Sequence, residues 1–240
     1  MVYGRFRFLH CYRYFHRVAF EQLALPLVEP EAPTLENFVP VGNEEAVVAL
    51  KKCRAGEGPQ FICLWGPSGS GRSHLLRSLT PCQTRRVPEF DDAVALYTAD
   101  NVDKLDAEDW ENLFILMNEV RSHPGTRLVT ATGKPPQQMT DVRVDVTSRL
   151  SWGLVFEIRR LPAKEALAEF VRRCTARGID LRPEVIHWIE TYCPRDMKNL
   201  VRLLNAIDTY ALQLKRRVTV ALLQERLFAD GTRFNKDVFQ

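Results

Sequence analysis

The sequence predicts an α/β domain with a parallel sheet covered on both faces, followed by a small all-helical lid. Strand-like and helix-like segments alternate from Leu35 to Ile158, which implies parallel strands joined by helical crossovers. A glycine-rich turn stands between the first strand and the helix that follows it. After Pro162 the pattern turns to helices alone, each with apolar residues three and four apart.

Residues 1–33 form an extended tail, 34–161 the α/β domain, 162–232 the lid and 233–240 a short end segment. Residues 1–20 hold seven aromatics and Arg5, Arg7, Arg13 and Arg17, with no acid and no clean period. A translation start placed too far upstream accounts for them; a basic surface arm is the other reading, and no function is assigned to them. Three prolines in 21–34 deny backbone donors and fix φ, so this stretch is extended and loosely attached. The α/β domain then offers a helix in Glu44–Lys52, a buried strand in Phe61–Trp65, a helix from Arg72 and a strand in Ala93–Thr98. A helix in Glu108–Arg121 and strands in Arg127–Thr132 and Leu154–Ile158 complete it. The lid helices fall in Ala163–Arg177, Pro183–Cys193, Asp196–Lys215 and Val220–Phe228.

Composition narrows the function. The chain has 33 basic and 30 acidic residues, and removing the four arginines of the tail leaves 29 against 30. The body is thus near neutral and lacks the field that draws a folded domain to nucleic acid whatever its sequence. Six scattered cysteines show no C-x-x-C pair and no zinc-finger spacing, which fits reduced thiols in the cytoplasm. No apolar run approaches the roughly 18 residues of a membrane span, and arginine interrupts the N-terminal stretch too often for a signal peptide.

Gly66-Pro67-Ser68-Gly69-Ser70-Gly71-Arg72-Ser73 follows the buried strand and opens a helix, the context a phosphate-binding loop requires. Its glycines let consecutive N–H groups and the positive end of the helix surround phosphate oxygens. Ser73 is placed to ligate Mg²⁺ beside a bound ADP or ATP. Arg72 stands where lysine is usual; it keeps the charge but is bulkier and planar, so its reach to the terminal phosphates is not guaranteed. Asp100, at the end of the neighbouring strand, is the other metal candidate, capping of the next helix being its alternative use. Asn101 beside it can orient a water but not take its proton, so self-hydrolysis should be slow.

These boxes, with Thr34-Leu35-Glu36-Asn37-Phe38, Leu128–Pro136, Ser148-Arg149-Leu150-Ser151-Trp152-Gly153 and Arg195-Asp196-Met197, resemble the AAA+ module of the DnaA family. They are more similar still to its shortened Hda branch, over about Phe20–Phe228. The resemblance implies that Arg149 is an interfacial finger acting on a neighbour's nucleotide and that Arg195 senses nucleotide from the lid. A surface ion pair and an exposed helix start are the plainer uses of these two arginines. Gln22-Leu23-Ala24-Leu25-Pro26-Leu27 resembles the peptide by which this family docks on the sliding clamp, the beta subunit of DNA polymerase III. Gln22, Leu23, Leu25, Pro26 and Leu27 would make that contact, proline restraining the free peptide and the leucines filling apolar pockets. A tail tucked onto its own domain is the alternative.

The implied function is inactivation of the initiator DnaA: clamp-docked, the protein stimulates hydrolysis of DnaA-bound ATP and prevents re-initiation of replication. Homo-oligomers are expected, and DNA is met only through the clamp. A motor or helicase loader hydrolysing its own ATP, and a P-loop adaptor with an accidental clamp-like motif, are the competing readings. Two departures matter. About twenty residues, including irregular 80–88, separate the P-loop helix from the Asp100 strand where the family fits another helix and strand, which casts doubt on a complete five-stranded sheet. Gly133 and Lys134 replace the acidic-basic pair usual on the family's first sensor, which alters the expected readout of γ-phosphate. The chain also ends soon after the lid, leaving no room for a helix-turn-helix domain.

Overall fold

The computed structural model describes residues 31–80, 83, 85–140, 144–214 and 218–229. The clamp-like peptide at Gln22, Leu23, Leu25, Pro26 and Leu27 lies outside them. Alternating burial explains why the sheet forms. In β1 (Phe61–Trp65) the residues Phe61 and Cys63 point into one apolar cluster, and Ile62 and Leu64 into another on the opposite face. β2 (Leu96–Ala99), β3 (Arg127–Thr132) and β4 (Leu154–Glu157) complete a parallel sheet of order β2-β3-β1-β4. Four strands are therefore present among the described residues, consistent with the doubt raised by the short 80–92 segment.

One face is covered by α3 (Ala107–Ser122), through Leu113, Leu116, Met117 and Val120. Asp106 caps that helix, its carboxylate accepting from the Asp109 N–H at 2.9 Å. The other face is covered by α1 (Glu44–Arg54) and α2 (Arg72–Leu79), through Val47, Leu50, Leu75 and Leu76. α4 (Val144–Leu150) lies just before β4 and has no counterpart in the sequence reading: at seven residues it is too short to show a period. β2 begins at Leu96 rather than Ala93 because Asp91 turns the chain, its side chain accepting from Ala93 N–H and its carbonyl from Val94 N–H.

Both sheet edges end on a side-chain amide. Asn43 precedes α1 but does not cap it; instead it accepts from the Arg159 N–H at 2.8 Å and donates to the Arg159 carbonyl at 3.1 Å. Gln83 does the same at the other edge, donating to the Thr98 carbonyl at 2.7 Å and accepting from its N–H at 3.3 Å. Each amide thus stands in for one residue of a further strand and satisfies backbone groups that an edge leaves open.

α5 (Ala163–Ala176), α6 (Pro183–Tyr192), α7 (Met197–Leu214) and α8 (Val220–Ala229) build the lid around Phe170, Val185, Ile189, Leu200, Leu203 and Leu204. A strap, Thr34–Phe38, ties lid to base. Thr34 and Asn37 bond each other's backbone through their side chains, and the Asn37 carbonyl accepts from Arg173 of α5 at 2.8 Å. No described helix is long and apolar enough to cross a membrane.

Candidate functional site: the phosphate loop and its arginines

Close approach of backbones shapes the loop Gly66–Ser73. A Cβ on Gly66 would lie 2.3 Å from the Ile158 carbonyl oxygen, so only glycine fits there. Gly71 opens α2 at φ 98°, a left-handed conformation that L side chains rarely adopt, and the Phe38 ring fills the space where its side chain would go. Pro67, Ser68 and Gly69 form an exposed rim. The Ser70 hydroxyl is buried and meets no hydrogen-bond partner among the described residues. Ser73 stands in the first turn of α2, which carries no acidic residue of its own. The curl, the helix start and the orphaned hydroxyl suit an anion.

Several residues outside the motif hold this cradle in place. Arg160, just beyond β4, donates from Nε to the Ser68 carbonyl at 2.9 Å. His74 bonds the Thr34 carbonyl at 3.0 Å and lies 5.7 Å from the Phe38 ring, ring centre to ring centre. Burial pushes its pKa below 6.5. Arg72 is 9% exposed, and its guanidinium donates to the Thr132 carbonyl at the tip of β3, so its side chain runs toward the sheet instead of along the loop.

Asp100 stands at the end of β2 with its carboxylate accepting from the Asn101 N–H at 2.8 Å, while Asn101 adopts the left-handed conformation at φ 50°. Asp100 and Asn101 wall a cavity of about 190 Å³ with Leu76, Thr80 and Thr98. The turn at Asn101 carries the chain into a 3-10 turn, Val102–Lys104, where Asp103 accepts from the Gly133 N–H at 2.9 Å. The sequence reading missed this second acid because it looked only at the residue next to Asp100; an acid three positions on, within a tight turn, was the available signal. The oxygen donors Ser73 and Asp100 are the kind Mg²⁺ takes while keeping several waters. No group of three or more potential metal-binding side chains occurs among the described residues.

Arg149, near the end of α4, is folded inward. Its guanidinium carbon sits 3.7 Å from the centre of the Phe114 ring and 5.2 Å from that of Trp152. Its side chain is 18% exposed, and the Asp145 carboxylate is 4.0 Å away. Nε and Nη1 are buried and meet no hydrogen-bond partner among the described residues, so three of the five guanidinium N–H donors are unmet there. Trp152 packs edge-on against Phe61 at 5.4 Å with Arg121 over its ring. Arg195, in contrast, is 44% exposed and 3.9 Å from Glu190, and no described contact joins it to the loop.

Residues 163–227 match the family model described as Hda, lid domain. The whole fold is similar to domain III of the replication initiation protein DnaA of Thermotoga maritima, with 18% identity, TM-score 0.63, and coverage of 82% of this chain and 95% of that one. It is also similar to AMPPCP-bound DnaA from Aquifex aeolicus, at 22% identity and TM-score 0.57 over 79% of this chain and 70% of that one. The Holliday junction branch migration motor RuvB of Thermotoga maritima shares the fold at 15% identity and TM-score 0.58, over 82% and 72% of the two chains. At these identities the solved structures show the fold alone, and over residues 163–227 the chain is similar to the Hda lid domain.

Proposed function

We propose that this protein regulates the replication initiator DnaA, stimulating hydrolysis of DnaA-bound ATP when docked on the DNA polymerase sliding clamp and so preventing re-initiation. The observation that carries the reading is the match of residues 163–227 to the Hda lid domain beside a base whose fold is similar to domain III of DnaA. Asn101 cannot accept a proton from water, and Arg72 is turned toward β3. The loop Gly66–Ser73 binds an adenine nucleotide, ADP or ATP, as its DnaA-like neighbours with AMPPCP suggest. Ser73 and Asp100 hold Mg²⁺, and Arg195 senses the nucleotide from the lid.

The chemistry falls on the partner. A guanidinium supplied in trans grips phosphate oxygens through paired bonds and stabilises charge developing during phosphoryl transfer, an effect of roughly 10³–10⁵ in rate. For Arg149 to do this it must turn away from Phe114. Phosphate oxygens would then satisfy donors that the aromatic pocket leaves unmet. Gln22, Leu23, Leu25, Pro26 and Leu27 dock on the clamp, and the tether raises the local concentration of the finger near its target. The protein works in the cytoplasm, self-associates, and meets DNA only through the clamp.

ATP turnover measured on the protein alone, and then with DnaA and DNA-loaded clamp, tests the reading. Turnover confined to the complete mixture supports it. Robust turnover by the isolated protein would instead make it a motor that hydrolyses its own ATP.

A further inference from the structure

Arg72 opens α2 at the place from which a P-loop cation normally addresses phosphate, yet its guanidinium is buried among the strand tips. It donates to the carbonyl of Thr132, a residue with no exposed surface. The same carbonyl accepts from the Gly66 N–H at 3.3 Å, and the Thr132 hydroxyl donates to the Lys134 carbonyl at 2.7 Å. The charge of Arg72 also reaches the thiol of Cys63 in neighbouring β1, where it works against the burial that pushes that thiol up. One carbonyl therefore joins the first glycine of the loop, the first residue of α2 and the tip of β3.

We propose that Arg72 is a positioning residue that pins the start of α2 to β3 and sets the curl of the phosphate loop, its own guanidinium taking no direct part in reading phosphate. The proposal rests on the reading of Gly66–Ser73 as a nucleotide site and deepens it. Amides and a helix start grip the inner phosphates of a nucleotide. With its guanidinium held on the Thr132 carbonyl, Arg72 supports the loop that grips either nucleotide and adds no contact particular to a third phosphate. Arginine suits the buried strut because its planar, weakly hydrated fork tolerates a carbonyl partner. Lysine at the same position is a compact, strongly hydrated charge on a flexible stem and gains more from phosphate.

Calorimetric titration of the full chain with ADP and with AMPPCP, in magnesium, tests this on three proteins: unmodified, Arg72→Met and Arg72→Lys. Arg72→Met should weaken both ligands by a similar factor, and Arg72→Lys should move the ratio toward AMPPCP by about tenfold, the worth of one charge-assisted hydrogen bond. A thermal melt of each variant guards against misfolding, and Arg72→Lys alone decides the matter if Arg72→Met does not fold. Selective loss of AMPPCP binding in Arg72→Met, unchanged binding of both ligands in it, or an unchanged ratio in Arg72→Lys would overturn the proposal. Absence of binding to either nucleotide by the unmodified protein would instead remove the nucleotide reading beneath it.

Discussion

Gly66 shows how a single missing Cβ positions the loop. With the Ile158 carbonyl 2.3 Å from where that carbon would be, Gly66→Ala forces strand β4 or the loop to shift. The expected cost is about 1–3 kcal/mol of stability, as for overpacking, together with loss of nucleotide binding; denaturant unfolding and titration with ADP measure the two. The loop between β1 and α2 and its need for glycine at positions 66 and 71 were legible in the sequence because such a loop is a local object whose spacing carries its geometry. The inward turn of Arg72, the bond from Gly133 to Asp103 and the stacking of Arg149 on Phe114 were not legible. Each joins residues about thirty or more positions apart, and no local pattern encodes which way a long side chain turns.

At the scale of elements, the two edge amides explain how a four-stranded sheet keeps its rims closed. Asn43→Ala strips the Arg159 N–H and carbonyl of their partner at a buried site, with an expected loss of about 1–3 kcal/mol. Gln83→Ala acts at a more open edge where water can substitute, so it should cost less; comparing the two by urea unfolding checks the order. Strand and helix positions followed from alternation and period, yet α4 escaped because a seven-residue helix carries no period to read. The strap adds a pH dependence. Burial holds the pKa of His74 below 6.5, so as pH falls through about 6.5 the unfolded chain binds the proton first and stability declines until the folded ring protonates as well. Between pH 7.5 and 5.5 the Tm of the unmodified protein should therefore fall further than that of His74→Gln. Equal falls would place the proton elsewhere.

Across the whole molecule, lid and base meet through the strap, where Arg173 links Glu169 of α5 to the Asn37 carbonyl while His74 bonds Thr34, three residues before Asn37. The strap thereby connects the lid to the helix that begins at the phosphate loop. In the proposed mechanism this body is a carrier: the tail brings it to the clamp and α4 presents Arg149. Replacing Gln22, Leu25 and Leu27 by alanine should abolish retention on the clamp, seen by co-elution, while ADP binding persists. The most direct test of the central claim is the rate of hydrolysis of DnaA-bound ATP in the presence of DNA-loaded clamp and Arg149→Ala. Loss of stimulation by 10³-fold or so toward the unstimulated rate, with nucleotide and clamp binding retained, is the predicted result; stimulation equal to that of the unmodified protein would contradict it and leave the guanidinium on Phe114 as a packing residue.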